Sequence, residues 1–113
     1  MSNNLYDNNS DVIELTEKDF NVIKLTSKPL LGKFGLIKCY ANWCPHCKDK
    51  VEKMEYLAQG LKKDNFFVAA VNTENCRNLS NNLGVEGIPV FFFVDDKGNL
   101  EKLNIEFTLE NIL

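Results

Sequence analysis

Apolar residues in this chain fall into short blocks, and their spacing alternates between the two periods of regular structure. Val12 to Leu15 is a short apolar stretch and predicts an edge strand. Thr16-Glu17-Lys18-Asp19 reads as a helix N-cap followed by early acids, with Phe20, Ile23 and Lys24 at helical spacing and an end before Ser27-Lys28-Pro29. Gly32 to Gly35 predicts a turn, and Gly35 to Ala41 a mostly buried central strand interrupted by Lys38. Cys47, Val51, Met54, Leu57, Ala58 and Leu61 stand three or four apart, one stripe of an amphipathic helix running to Leu61. Phe66 to Val71 is a second buried strand, Cys76 to Leu83 a short helix ended by Gly84, and Gly87-Ile88-Pro89 a turn into a strand over Val90 to Val94. Asp95-Asp96-Lys97-Gly98 is a tight hairpin turn, and Leu100 to Phe107 returns as its partner strand. Thr108 could cap a last, short helix.

The order β α β α β α β β (α) predicts an α/β domain of three layers with a mixed sheet. Its 113 residues suffice for one core, and no internal repeat or linker divides them. The expectation is a flexible polar leader over residues 1–11 and a single domain over 12–113. With 44% hydrophobic and 26% charged residues the chain is not a disordered tail, a collagen-like repeat or a coiled coil. Its apolar runs are strand-sized, too short for a membrane span. A net charge of −3 without a Lys/Arg block argues against a nucleic-acid platform. Residues 1–10 have neither a basic nor an apolar region of secretory type, so a cytoplasmic, reducing location is expected. There, four cysteines are more often catalytic or metal-binding than structural.

The candidate chemistry lies at Cys44-Pro45-His46-Cys47, between a buried strand and a helix. Pro45 suits the first helical turn, where its missing N–H costs nothing. Two cysteines at this spacing can close a small disulfide ring with little motion, and the helix N-terminus stabilises a thiolate on the first. Cys44, outermost, is expected as the exposed nucleophile, and Cys47, one turn in and more buried, as the thiol that resolves the mixed disulfide. His46, when protonated, adds positive potential beside Cys44 and favours the reduced form, which makes the pair a better oxidant. Half of a zinc site shares the spacing, so metal binding stays open, although Cys39 and Cys76 do not form a second C-x-x-C. Cys39, inside a strand, reads as a small core hydrophobe.

The run from Lys38 to Lys48, with Tyr40-Ala41-Asn42-Trp43 leading into Cys-Pro-His-Cys-Lys, resembles thioredoxin-fold oxidoreductases, and protein disulfide isomerase domains especially. Gly84-Val85-Glu86-Gly87-Ile88-Pro89 is similar to the loop that ends in that family's cis-proline, 45 residues after Cys44. The resemblance runs from about Val12 to Phe107. It implies a thioredoxin fold with a closing β-hairpin and a short C-terminal helix. It also implies a thiol–disulfide oxidoreductase in which Cys44 attacks, Cys47 resolves, Trp43 covers the site and the loop at Ile88 and cis-Pro89 presents backbone groups to an extended substrate. The Pro45-His46 dipeptide is also that of a strongly oxidising bacterial periplasmic oxidase of this fold, which leans the expectation toward an oxidase or isomerase. Ile88 before the proline leans toward a thioredoxin-like reductase.

Departures from the family pattern sharpen the picture. Lys38 occupies the position, six residues before the first cysteine, where the family usually buries an acid that relays a proton to the second. A cation there would stabilise thiolates and favour oxidation while slowing resolution of mixed disulfides; the alternative is a Lys that snorkels to the sheet edge. Glu52 stands in place of the family's helix-kinking proline, and a C-terminal helix from Thr108 of at most about one and a half turns would cover its sheet face thinly. The implied partners are protein thiols and disulfides, with an unidentified electron donor or acceptor. No small-molecule cofactor is implied, the redox equivalents being carried by the Cys44–Cys47 disulfide. Fifteen Asn residues, and the oddity of an oxidant in a reducing compartment, suggest a second location: the virion of a large DNA virus that assembles in cytoplasm.

Overall fold

The computed structural model describes Tyr6, residues 10–45, Cys47 and residues 51–103. Its frame is a five-stranded sheet in the order β1-β5-β4-β6-β7. The strands are β1 (Ile13–Leu15), β4 (Phe34–Tyr40), β5 (Phe66–Asn72), β6 (Val90–Val94) and β7 (Leu100–Lys102), with β2 (Phe20–Asn21) and β3 (Lys24–Leu25) forming a separate two-stranded hairpin. Strands β1, β5 and β4 run parallel, while β6 is antiparallel to β4, and β7 to β6. The mixed sheet, the edge position of β1 and the closing hairpin therefore stand as the sequence predicts.

Central strand β4 is buried from Gly35 to Tyr40, and the period of two divides its side chains between two cores. Leu36 and Tyr40 face the layer of helix α1 (Val51–Leu61), whose Met54, Leu57 and Ala58 form the buried stripe that the 3–4 spacing predicts. Burial of side chains of this size stabilises by about 1.5–3 kcal/mol each for Met54 and Leu57. Ile37 and Cys39 face the opposite layer, where Leu15, Leu25, Leu79 of helix α2 (Arg77–Asn82) and Val94 enclose them. By this alternation Lys38 shares the face of Leu36 and Tyr40.

One expected element is replaced. Thr16 does cap, with its side chain and that of Asp19 closing a reciprocal capping box, but the turn stops after Glu17–Asp19. The chain then forms the β2–β3 hairpin instead of a helix through Lys24, turning at Val22 with φ 57°. The cause is tertiary. Leu25 is buried and its N–H donates to the Gly98 carbonyl at 2.9 Å, whereas Ile23, on the expected apolar stripe, is exposed. A helix would have lifted Leu25 away from this contact.

Within the expected flexible leader, Tyr6 is 2% exposed and packs in the core on the α1 side. The C-terminal part of the expected last strand (104–107) and the last helix from Thr108 lie outside the described residues. Gly84 (φ 70°) ends α2 as expected.

Gly98 gives a test of the hairpin contact. Its φ is +89°, and a Cβ there would run into the Leu25 carbonyl. Gly98→Ala should lower stability by about 2–4 kcal/mol, combining backbone strain with that clash. Gly60→Ala, exposed in α1 with open space at its Cβ, should raise it by about 0.5–1 kcal/mol. Chemical denaturation of both variants checks the pair; equal effects would remove the tertiary reason given for the hairpin.

Candidate active site

After β4 the chain turns at Ala41–Cys44, where the Cys44 N–H donates to the Ala41 carbonyl at 3.1 Å, and Pro45 and Cys47 take up helical backbone. This turn puts the two cysteines in one place. The Cys47 N–H donates to the Cys44 sulfur at 3.2 Å, one of the free donors at a helix start, and such a bond strengthens as the sulfur gains negative charge. On its other side the Cys44 thiol points to the Ile88 carbonyl at 3.8 Å. The Ile88–Pro89 peptide is cis, as the resemblance implies. The structure thus brings Cys44, Cys47, Ile88 and the neighbouring Pro89 together. Trp43 beside them is 66% exposed, and Pro45 is exposed too. His46 lies outside the described residues.

Cys44 differs from expectation in one respect. It is 3% exposed, closed off from solvent and not the open nucleophile the sequence suggests, although Cys47 is deeper still. The loop of Ile88 and Pro89, packed against the thiol, accounts for its closure. All four cysteines are free thiols. Burial raises the Cys47 thiol well above the usual range, and hydrogen bonding toward Cys44 raises it further, while a backbone hydrogen bond and the Lys38 charge act the other way. Cys47 therefore holds its proton at neutral pH and offers it toward Cys44.

Lys38 does not reach solvent: it is 0% exposed, so the snorkelling alternative is excluded. Its Nζ donates to the Cys47 carbonyl and to the Tyr6 hydroxyl, both at 2.7 Å, and stands 5.2 Å and 5.9 Å from the ring centroids of Tyr6 and Tyr40. The two rings meet edge to face at 5.8 Å. The Tyr40 hydroxyl donates to Glu14 on β1. Burial pushes the Glu14 carboxyl up to about 7, against the pull of the Tyr40 hydrogen bond, the Tyr6 backbone and Lys38. Tyr6, Glu14 and Tyr40 had no place in the sequence reading of the site. For Tyr40 the signal was present, since it shares its strand face with Lys38; Glu14, an acid in an apolar strand, was a weaker one.

Cys39 and Cys76 lie in the other core, with burial raising their thiols to about 12 and about 11. Among the described residues no three His, Cys, Asp or Glu side chains gather where they could hold a metal ion.

A thioredoxin family profile matches residues 11–113. Over 90 residues the chain is 36% identical to protein disulfide-isomerase erp38 of Neurospora crassa, covering 78% of this chain and 23% of that protein. It is 38% identical over 85 residues to protein disulfide-isomerase A6 of Mus musculus, covering 75% and 18%. It is 32% identical over 87 residues to the thioredoxin-like protein HCF164, chloroplastic, of Arabidopsis thaliana, covering 72% and 33%. The chain thus spans a third or less of the length of each of these relatives.

The buried thiols set a pH signature. Unfolded cysteines release their protons near pH 9, whereas Cys39, Cys47 and Cys76 hold theirs higher in the folded protein. Their contribution to stability is complete below pH 9 and is lost as pH rises toward 11–12. The 13Cβ shifts of these three residues in the reduced protein should not titrate between pH 6 and 9, and stability to urea should fall above pH 9. Titration of Cys47 near neutrality would contradict the effect of burial given above.

Proposed function

This chain belongs to the thioredoxin family, and from that membership and its paired thiols we propose that it is a thiol–disulfide oxidoreductase acting on protein thiols and disulfides, working as an oxidase or isomerase. The observation that carries the reading is the Cys44–Cys47 pair at a helix start, with the Cys47 N–H directed at the Cys44 sulfur. In the disulfide form, a substrate thiolate attacks the Cys44 sulfur, the Cys44–Cys47 bond breaks, and Cys47 departs as a thiolate that takes up a proton. A second substrate thiolate attacks the substrate sulfur of the mixed disulfide, and Cys44 leaves as a thiolate. Two substrate thiols have then become a disulfide, and two electrons reside in the protein pair. No small-molecule cofactor enters this cycle; a partner disulfide reoxidises the pair.

Trp43 and Pro45, both exposed next to Cys44, and half-buried Ile88 and Pro89 are the residues a substrate would meet on reaching the thiol. An extended substrate reaching Cys44 takes over the Ile88 carbonyl that the thiol now faces. The lean toward oxidation rests on the Pro45-His46 dipeptide, in which His46, when protonated, adds positive charge between the two cysteines in the sequence; Lys38 lowers the cost of ionising Cys47. A metal-binding module would need further ligands beside the pair.

The reduction potential, measured by equilibration in glutathione buffers, tests the direction. A value in the range of about −120 to −180 mV is expected, as for known oxidants and isomerases; a value near −270 mV would make the protein a thioredoxin-like reductase. Cys47→Ser should accumulate a mixed disulfide at Cys44, and Cys44→Ser should abolish exchange, both read by mass spectrometry of the substrate adduct. Accumulation of an adduct at any other cysteine would overturn the assignment of roles.

A further inference from the structure

Tyr6 is the residue whose position the pair chemistry leaves unexplained. It belongs to a polar segment, yet its ring is buried beneath the active-site helix and its hydroxyl accepts a hydrogen bond from Lys38 Nζ at 2.7 Å. The same ammonium donates to the carbonyl of Cys47, also at 2.7 Å, so one cation links the N-terminal segment to the resolving cysteine. The Tyr6 ring meets Tyr40 edge to face, which fixes the ring as well as the hydroxyl. The clamp continues to Glu14 of β1, bonded by the Tyr40 hydroxyl.

We propose that Tyr6 is a positioning residue of the redox site: it holds the Lys38 ammonium, charged and dry, against the first turn of the active-site helix, and so favours the thiolate form of Cys47. Removing a cation from water costs several kcal/mol unless acceptors compensate, and the Tyr6 hydroxyl is one of the two to which the ammonium donates. The consequence falls on one step. When the Cys44–Cys47 bond is broken by a substrate thiolate, the electron pair of that bond goes to the Cys47 sulfur, which is buried, and the nearby fixed cation stabilises it until it is protonated from water. In the reverse step Cys47 loses that proton to water, attacks Cys44 of the mixed disulfide and expels the substrate thiolate, and the same cation lowers the cost of ionisation. With Tyr6 absent, water reaches the ammonium and screens it, or the ammonium turns away.

The inference rests on the Cys44–Cys47 pair being a working redox couple, but not on the direction in which it runs. Tyr6→Phe keeps the ring and removes only the acceptor, so the fold should persist, verified by circular dichroism. In Tyr6→Phe, resolution of a preformed Cys44 mixed disulfide should slow about three- to tenfold at pH 7, and its pH profile should move to higher pH. Tyr6→Ala should exceed Tyr6→Phe in both readouts. In a Lys38→Met background, Tyr6→Phe should change neither. A folded Tyr6→Phe protein with an unchanged resolution rate and pH profile would overturn the proposal, as would an equal shift in the Lys38→Met background, which would show that Tyr6 acts by packing alone. Should the unaltered protein form no exchangeable Cys44–Cys47 disulfide, the functional reading itself falls; should it exchange normally while Tyr6→Phe matches it, only the Tyr6 assignment falls.

Discussion

A buried ammonium is expensive unless each of its neighbours is matched to it, and at Lys38 the matching involves most of what is near the site. The central strand provides the residue and the Tyr40 ring, the N-terminal segment provides Tyr6, and the active-site helix provides the Cys47 carbonyl. Glu14 on the edge strand joins through Tyr40. Any one of these groups could be replaced by an apolar side chain in an ordinary core. Held together, they lock the start of the helix against the sheet, and the cysteine pair takes its geometry from that junction.

The same arrangement makes the two thiols unequal. Cys47 lies under the helix and keeps its proton, while Cys44 lies at the turn with a backbone N–H on its sulfur and the Ile88 carbonyl opposite. Difference in burial over one helical turn thus separates the two thiols, and the attacking and resolving roles proposed for them follow that division. In the proposed cycle the resolving step is the harder one, because a buried thiol must ionise, and a nearby cation is the group suited to help it. Where a carboxylate would take the proton, a lysine instead lowers the cost of the charge left behind.

Two other places show how packing overrides local preference. Thr16 to Asp19 carries good helix-start chemistry, and the capping box forms, yet the helix is one turn long because Leu25 belongs to the core beside the Gly98 turn. Polar residues around Tyr6 suggest a loose leader, yet one aromatic ring finds a site that only the assembled sheet and helix create. In both cases the deciding contact joins residues far apart in sequence, here Leu25 with Gly98 and Tyr6 with Lys38, so local pattern carries no trace of it.

By itself the amino-acid order determined the strands and helices with strong periodicity, the mixed sheet with its closing hairpin, and the Cys44–Cys47 and Ile88–Pro89 motifs, because period, capping and motif spacing are local properties. It also contained the parity that sets Lys38 on the face of Leu36 and Tyr40, which follows from the two-residue repeat of a strand. What it left undecided was whether Lys38 would escape to solvent, how far Cys44 would be closed off, and that Tyr6 would enter the core. Those were decided by tertiary structure alone, since burial and the pairing of a charge depend on which distant groups arrive around it.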